Sequence, residues 1–382
     1  MSDPGFMIPL NQNDYFFEPQ ENPRDICSAQ TQNTFTKAPW WTSENIRLTT
    51  NGAVTSAAVV GTSYVIQVGV QGLVGSEGDA LAVIQHAQAW VCYPNSVAGH
   101  ASANLVVPSM QNSQFASFSN LGPNAPIVFG SGDYQSVAEG AFDWISLSPW
   151  TPVQDDFLEQ SVSGGHCCII ANVAGLSVAN QTQTGFTGNA VGAVIPDNAA
   201  LNGAINVCSN IYQAQSNIVI EPMPFHGRAP HGLAFLAGAP ESLRPFETAV
   251  EATAINQRGR INPALRKALR GLPSAGRLFK PAASPPKALR LVPHKAASSG
   301  HLARILREGE IGAVETVEAR EPKFGGGQRR KLRLPAHGLH ALRAEIEIDP
   351  NDAPGTVHAI QITQTDANGA RGGITAAFVV VP

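Results

Sequence analysis

The stretch SGGHCCIIANVAG, residues 163–175, sets a histidine beside two cysteines and then runs apolar. A cysteine nucleophile needs a base within hydrogen-bond reach and an exposed, electropositive setting. On a strand, adjacent side chains point to opposite faces, so His166 and Cys167 cannot form a dyad there. His166 and Cys168 would share a face but stand about 6–7 Å apart along the strand. Ile169 and Ile170 continue the apolar run on both faces, as in a strand covered on both sides. The expectation is a core strand, ahead of a thiol or metal-dependent hydrolase built on His166, Cys167 or Cys168. Cys27, Cys92 and Cys208 bring the cysteines to five, an odd number with no CxxC pair. Neither a zinc ribbon nor a thioredoxin-type site is supported. In a reducing compartment these cysteines are expected to serve as buried small hydrophobes.

PFHGRAPHGLAF (224–235) places His226 and His231 five apart in a Pro/Gly loop. With no third ligand nearby and neither HExxH nor HxH, turn hydrogen bonds are the expected use. The close carboxylates of QDDF (154–157) and DPND (349–352) read as turn residues that bond their own backbone. DPND lacks the further ligands of an EF-hand loop. No P-loop, GxSxG or dinucleotide fingerprint occurs, and FGGGQ (324–328) reads as a turn. No catalytic residue, metal site or cofactor is assigned.

Two sets of residues are assigned to partner contact. Tyr15, Phe16 and Phe17 could anchor the N-terminal region to a neighbour. Arg329, Arg330, Lys331 and Arg333 lie in GQRRKLRLP (327–335), the best candidate for a polyanion contact. That stretch alternates Arg330, Leu332 and Leu334 against Lys331 and Arg333, which predicts an amphipathic edge strand with basic residues outward. Basic residues on an edge also block unwanted pairing. No stacked-aromatic pattern lies beside it, so nucleic acid ranks behind protein as a partner.

The elements that must position these residues read mainly as strands. Residues 1–39 are polar and proline-punctuated, as in an extended arm without its own core. From Trp40 to about Pro222, strands alternate with Gly/Asn/Ser-rich loops. TSYVIQVGVQG (62–72) alternates Tyr64, Ile66, Val68 and Val70, the period of a half-buried strand. LAVIQHAQAWVCYP (81–94), FDWISLSPWTP (142–152), HCCIIANVAG and SNIYQAQSNIVIEPMP (209–224) are further strands. This spacing predicts an antiparallel sandwich.

A second unit begins near Asn217, with strands in GLAFLAGAP, FETAVEATAIN, ALRAEIEIDP and a closing hairpin about DANGARGG. NPALRKALRGLP (262–273) predicts a helix, with Asn262 as N-cap and Pro263 at the first helical position. SSGHLARILREGEIG (298–312) is a second short helix candidate, and the proline-rich 281–300 between them reads as a linker. No internal repeat at a fixed period is found.

Composition agrees with a β-rich chain. Of 382 residues, 43% are hydrophobic and only 14% charged, with 36 Gly and 28 Pro. That length suggests two domains, each able to bury a core. No apolar run reaches 18 residues, and the N-terminus lacks the basic start and apolar stretch of a secretory signal. Cytoplasmic synthesis is expected, with release by another route left open. The net charge of −4 hides an asymmetry. Residues 1–215 hold 3 Lys/Arg against 15 Asp/Glu, a balance of −12, and residues 216–382 hold 22 against 14, a balance of +8. Residues 256–343 alone carry 19 basic and 5 acidic side chains. Opposite halves of this kind attract copies head to tail, or draw an anionic partner to the basic half.

Several stretches together resemble Ig-like, CARDB-type β-sandwich modules of bacterial proteins. They are the opening PWWTSENIRL (39–48), the strand GTSYVIQVGVQG (61–72), SPWTPV (148–153), HCCIIANV (166–173), INVCSNIYQAQSNIVI (205–220) and the closing VHAIQITQTDANGARGGITAAFVV (357–380). The resemblance covers roughly 40–222 and 340–382. It implies two Ig-like antiparallel β-sandwich domains, 40–216 and 217–382, the second with a basic, partly helical insertion at about 256–343. Modules of this kind are usually binding or spacer units without catalysis of their own. The expected function is that of a non-enzymatic structural protein, self-assembling as a homo-oligomer or polymer into a filament, coat or appendage. A polyanion- or partner-binding module working through 256–343 is the alternative.

Overall fold

A computed structural model describes residues 5–10, 40–55, 58–73, 82–96, 105–110, 114–117, 127–128, 134–138, 140–156, 166–181, 185–201, 203–208, 210–219, 224–225, 231–239, 242–255, 279–294, 313–319, 327–367 and 369–380. The first half carries β1 (Phe6–Met7), β2 (Ile46–Thr50), β3 (Ala53–Thr55), β4 (Tyr64–Gly72), β5 (Ala82–Cys92), β6 (Gln114–Ser117), β7 (Ile127–Val128), β8 (Gln135–Val137), β9 (Phe142–Trp150), β10 (His166–Gln181), β11 (Gly185–Val191) and β12 (Gln213–Val219). The second carries β13 (Pro224–Phe225), β14 (His231–Gly238), β15 (Phe246–Ile255), β16 (Lys280–Pro281), β17 (Ala288–Pro293), β18 (Ala313–Ala319), β19 (Gly327–Leu334), β20 (Leu339–Glu347), β21 (Thr356–Asp366) and β22 (Gly369–Val380).

These strands form four sheets. In the first, β4 pairs with β1, β2 and β9, and β3 extends β2. In the second, β10 lies between β5 and both β11 and β12, with β6 and β8 on β5 and β7 on β11. The third runs β14-β20-β17, and the fourth β13-β22-β21-β15-β19-β18 with β16 added on β21. Each pair of sheets encloses a core. Ile66, Val68 and Val70 of the first sheet meet Ala87, Ala89 and Val173 of the second. Phe235, Leu291 and Leu342 of the third meet Val250, Ile360 and Phe378 of the fourth. The period-2 alternation read from Tyr64 to Val70 is the burial pattern of β4. A sheet with one face on a core requires that alternation.

β10 is buried on both faces, from Cys167 through Val173. The first sheet covers one face, and residues 193–201 and 203–207 fold over the other. A row of buried amides holds that segment down. Gln88, Asn172 and Gln213 stand in register on β5, β10 and β12. Gln88 exchanges hydrogen bonds with the backbone of Ile195, donating at 2.8 Å and accepting at 2.9 Å. Asn172 Nδ2 donates to Ala193 O at 2.8 Å, and Gln213 Nε2 donates to Ala204 O at 2.9 Å. Buried amides need such partners, and here they find them in a loop whose backbone also needs partners.

Several expectations change. The linker expected over 281–300 contains β17, where Leu289 and Leu291 are buried and Arg290 is exposed. Its prolines precede the strand or, as Pro293, form its last residue, instead of interrupting it. The described parts of 256–343 are strands of both sheets of the second core, so there they are no insertion and carry no helix. The helix candidates at 262–273 and 298–312 lie outside the described residues. Within the expected arm, residues 5–10 belong to the body. Phe6, Ile8 and Leu10 are fully buried, β1 pairs with β4, and Pro9 O accepts from Ser43 Oγ and Asn45 Nδ2.

Candidate functional site

The cysteine strand comes first. Cys168 on β10 lies directly opposite Cys92 on β5, and Cys167 is its neighbour on the other face. All three are free and fully buried. Cys167 Sγ lies 3.9 Å from Asp156 O, and Cys168 Sγ lies 3.9 Å from Asn95 O, both weak donor contacts. Burial, more than any neighbouring charge, pushes the three thiols up, Cys168 to about 12. Thiols raised in this way carry little thiolate near neutral pH, which disfavours nucleophilic attack by them. His166 opens β10 opposite Val219. Its side chain lies outside the described residues.

The acidic clusters are backbone clamps, as read. Asp156 is fully buried, and its two oxygens accept from Ser109 N at 2.9 Å and Val153 N at 2.8 Å. Tyr93 donates to Asp155 O at 3.0 Å, and burial beside Asp156 raises its hydroxyl. Asp349 accepts from Asn351 N at 2.9 Å, a hydrogen bond that lowers its carboxyl. His231, read as a loop residue, instead opens β14 opposite Ile346. His226 lies outside the described residues. Among the described residues, no group of three or more His, Cys, Asp and Glu could hold a metal ion.

The basic stretch is a strand, β19, but not an edge. It lies between β15 and β18. Arg329 stands opposite Glu251, and Arg333 opposite Glu247. Arg333 Nε and Glu247 Oε1 are 4.0 Å apart, with both side chains mostly exposed, so the pair contributes little. Arg330 turns the other way. Its Nε donates to Leu291 O at 2.6 Å, while Gln328 Oε1 accepts from Leu291 N at 2.7 Å. These two side chains satisfy the backbone of β17 on the edge that β20 leaves open, which protects it from stray pairing. Arg330→Met is expected to destabilise the fold by about 1 kcal/mol, by leaving Leu291 O short of a partner. Urea unfolding monitored by circular dichroism reads that shift.

Sequence reasoning missed the residues that join the two halves. Gln364 is fully buried; its Oε1 accepts from Ser96 Oγ at 2.8 Å and Gly238 N at 3.0 Å, and its Nε2 donates to Gly238 O at 2.6 Å. Beside it, Leu236 N donates to Pro94 O and Ser96 N donates to Leu236 O, each at 2.9 Å. A second joint lies at Trp41, whose Nε1 donates to Thr375 Oγ1 at 3.2 Å. A Cβ at Gly373 would come within 2.6 Å of the Trp41 ring. The only signal for Gln364 was a glutamine on the apolar face set by Ile360 and Ile362.

The outer face of the first sheet was also missed. Arg47 stacks over the Trp144 ring, its guanidinium carbon 3.7 Å from the centroid, and Phe142 meets Trp144 edge-on at 5.3 Å. Arg47 Nε donates to Gln67 Oε1 at 2.7 Å. This set ties β2, β4 and β9 together across one face. Tyr15, Phe16 and Phe17 lie outside the described residues, between the buried Leu10 and the buried Trp41.

The fold is that of a mainly β protein built from stacked, largely antiparallel sheets. No family model matches the chain, and no curated protein matches it. Among solved structures, it aligns with the crystal structure of collagen adhesin (CNA) from S. aureus at 6% identity and a TM-score of 0.20, covering 88% of this chain and 93% of that chain. Among the described residues, no helix is long and apolar enough to cross a membrane.

Proposed function

We propose that this chain is a non-enzymatic structural protein of two Ig-like sandwich units, 40–216 and 217–382, that self-assembles into a filament, coat or appendage. One observation carries the reading. The half with a balance of −12 and the half with a balance of +8 are fastened by the Gln364 and Trp41 joints. A body with opposite charges held in fixed relation attracts its copies head to tail, and such a contact repeats openly unless its rotation closes a ring. Glu44, Asp143, Asp155 and Asp197 are exposed on the acidic half, and Lys280, Lys287, Lys331 and Arg333 on the basic half.

Light scattering at low and high salt, with electron microscopy of the same samples, tests this. Large regular particles that dissociate in salt are expected. A monomer of about 40 kDa at every concentration and salt would end the reading.

The segment holding Tyr15, Phe16 and Phe17 is proposed to grip a neighbour. Deleting residues 1–39 is a poor test, because it removes core residues Phe6, Ile8 and Leu10. Replacing Tyr15, Phe16 and Phe17 by Ser leaves those in place. The triple variant is expected to keep its melting temperature and to lose assembly at least tenfold in concentration.

A further inference from the structure

The tip of the β2–β3 hairpin carries a reactive pair of residues. Thr50 stands opposite Ala53, so Asn51 and Gly52 alone make the loop between the strands. Both have positive φ, 48° and 77°, the conformation of a two-residue type I′ turn. Both are exposed, and so are Ala53 and Val54 beyond them. A Cβ built on Gly52 would meet nothing within 4 Å. Among the described residues, neither the Gly52 N–H nor the Asn51 amide makes a hydrogen bond. An asparagine amide beside an unshielded, unbonded backbone nitrogen is set up for ring closure. We propose that Asn51 is a site of deamidation, at which the turn is converted to an isoaspartyl linkage and β3 is released from β2.

The reaction consumes only water. The Gly52 nitrogen, having lost its proton to hydroxide, bonds to Asn51 Cγ. The Cγ–Nδ2 bond breaks, and the amine takes a proton from solvent and leaves as ammonia. Water then opens the cyclic imide. Opening at Cγ gives an aspartate on the original backbone. Opening at the backbone carbonyl gives isoaspartate, with the chain running through the former side chain. In sum an amide and water become a carboxylic acid and ammonia, and nothing is oxidised or reduced. Glycine favours the closure because no side chain stands beside its nitrogen. Asn45, Asn95 and Asn172 differ on every count: each is buried, each amide donates to a backbone carbonyl, and none precedes glycine. Asparagine precedes glycine again at 202–203 and 368–369, where the asparagines lie outside the described residues. An isoaspartyl linkage lengthens the backbone by one atom, and a two-residue turn has no slack for it. Among the described residues β3 pairs only with β2, through three register pairs, and neither Ala53 nor Val54 is buried. The fold therefore opposes the change weakly. Release leaves the outer N–H and C=O groups of β2 as an open edge of the kind that accepts another strand. The deamidation does not depend on the assembly reading.

Peptide mapping of the full chain, kept folded at mildly alkaline pH in heavy-oxygen water, tests this. The peptide containing Asn51 is expected to take up one heavy oxygen, mostly as isoaspartate, at a rate proportional to hydroxide. That rate should lie within about tenfold of the rate in the same peptide cut free of the chain, because an exposed tip opens at almost no cost. In the aged protein the backbone amides of β3 should exchange with deuterium faster, while those of β4 keep their protection. Asn51→Gly retains a pair that suits a type I′ turn and has no amide to lose. It should show neither heavy oxygen in this peptide nor loss of β3 protection over the same time. A slower reaction in the folded chain than that tenfold limit would overturn the proposal. So would uptake at Asn51 with β3 exchange unchanged, or an equal loss of β3 protection in Asn51→Gly.

Discussion

Gln364→Leu is expected to lower the free energy of unfolding by about 3–5 kcal/mol. The glutamine amide satisfies three groups, the Gly238 N–H, the Gly238 carbonyl and the Ser96 hydroxyl, at a fully buried position. Leucine fills much the same volume and satisfies none of them. Each buried orphan costs about 1–3 kcal/mol, and the three are coupled, so the sum falls short of their separate values. The damage is local to the joint, so cooperativity should suffer as well as stability. Urea unfolding followed by tryptophan fluorescence reports mainly on the first half, which holds Trp40, Trp41, Trp90, Trp144 and Trp150, whereas circular dichroism reports on all strands. The two curves should coincide for the wild type and separate for the variant. A loss below about 1 kcal/mol with coincident curves would show that the halves do not depend on this contact.

Trp41→Ala is expected to cost about 3–5 kcal/mol, the usual range for emptying a fully buried tryptophan site. Its ring lies against Gly373 of β22, and its indole N–H has Thr375 as acceptor. The cavity would open between the two halves, where neither core can collapse into it. Gly373→Ala attacks the same contact from the other side, by overfilling it. The two substitutions together should be far from additive. Melting temperatures of the single and double variants give the coupling, and simple additivity would mean the two residues act separately.

Much of the fold was legible because it rests on short-range pattern. The alternation of β4, the apolar run of β10 and the closing hairpin β21–β22 each follow from which residues face a core. β17 was missed because its six residues follow Pro285 and Pro286 and end on Pro293, and proline density outweighed the Leu289–Leu291 alternation. β19 was read as a strand, but its position was not legible, because an exposed basic face suits both an edge and a strand whose neighbours carry carboxylates. The chemistry of HCC was legible as a buried strand from side-chain direction alone. The amide row of Gln88, Asn172 and Gln213 was not, since its three members lie 84 and 41 residues apart and meet only through strand register. Partner-contact residues gave the weakest signal. Arg330 looks like any surface arginine until the open edge of β17 is placed beside it.

The Trp41 joint also bears on how the chain comes to be folded. Its hydrogen-bond partner Thr375 is 334 residues away, and Ser96 waits for Gln364 across 268 residues. During synthesis the first half leaves the ribosome with an indole and a hydroxyl prepared for groups not yet made. Contacts of such long sequence separation close late and slowly. Until they close, the nascent first half presents an unfinished surface to every other nascent copy. This protein is therefore expected to depend on chaperones in proportion to its rate of translation.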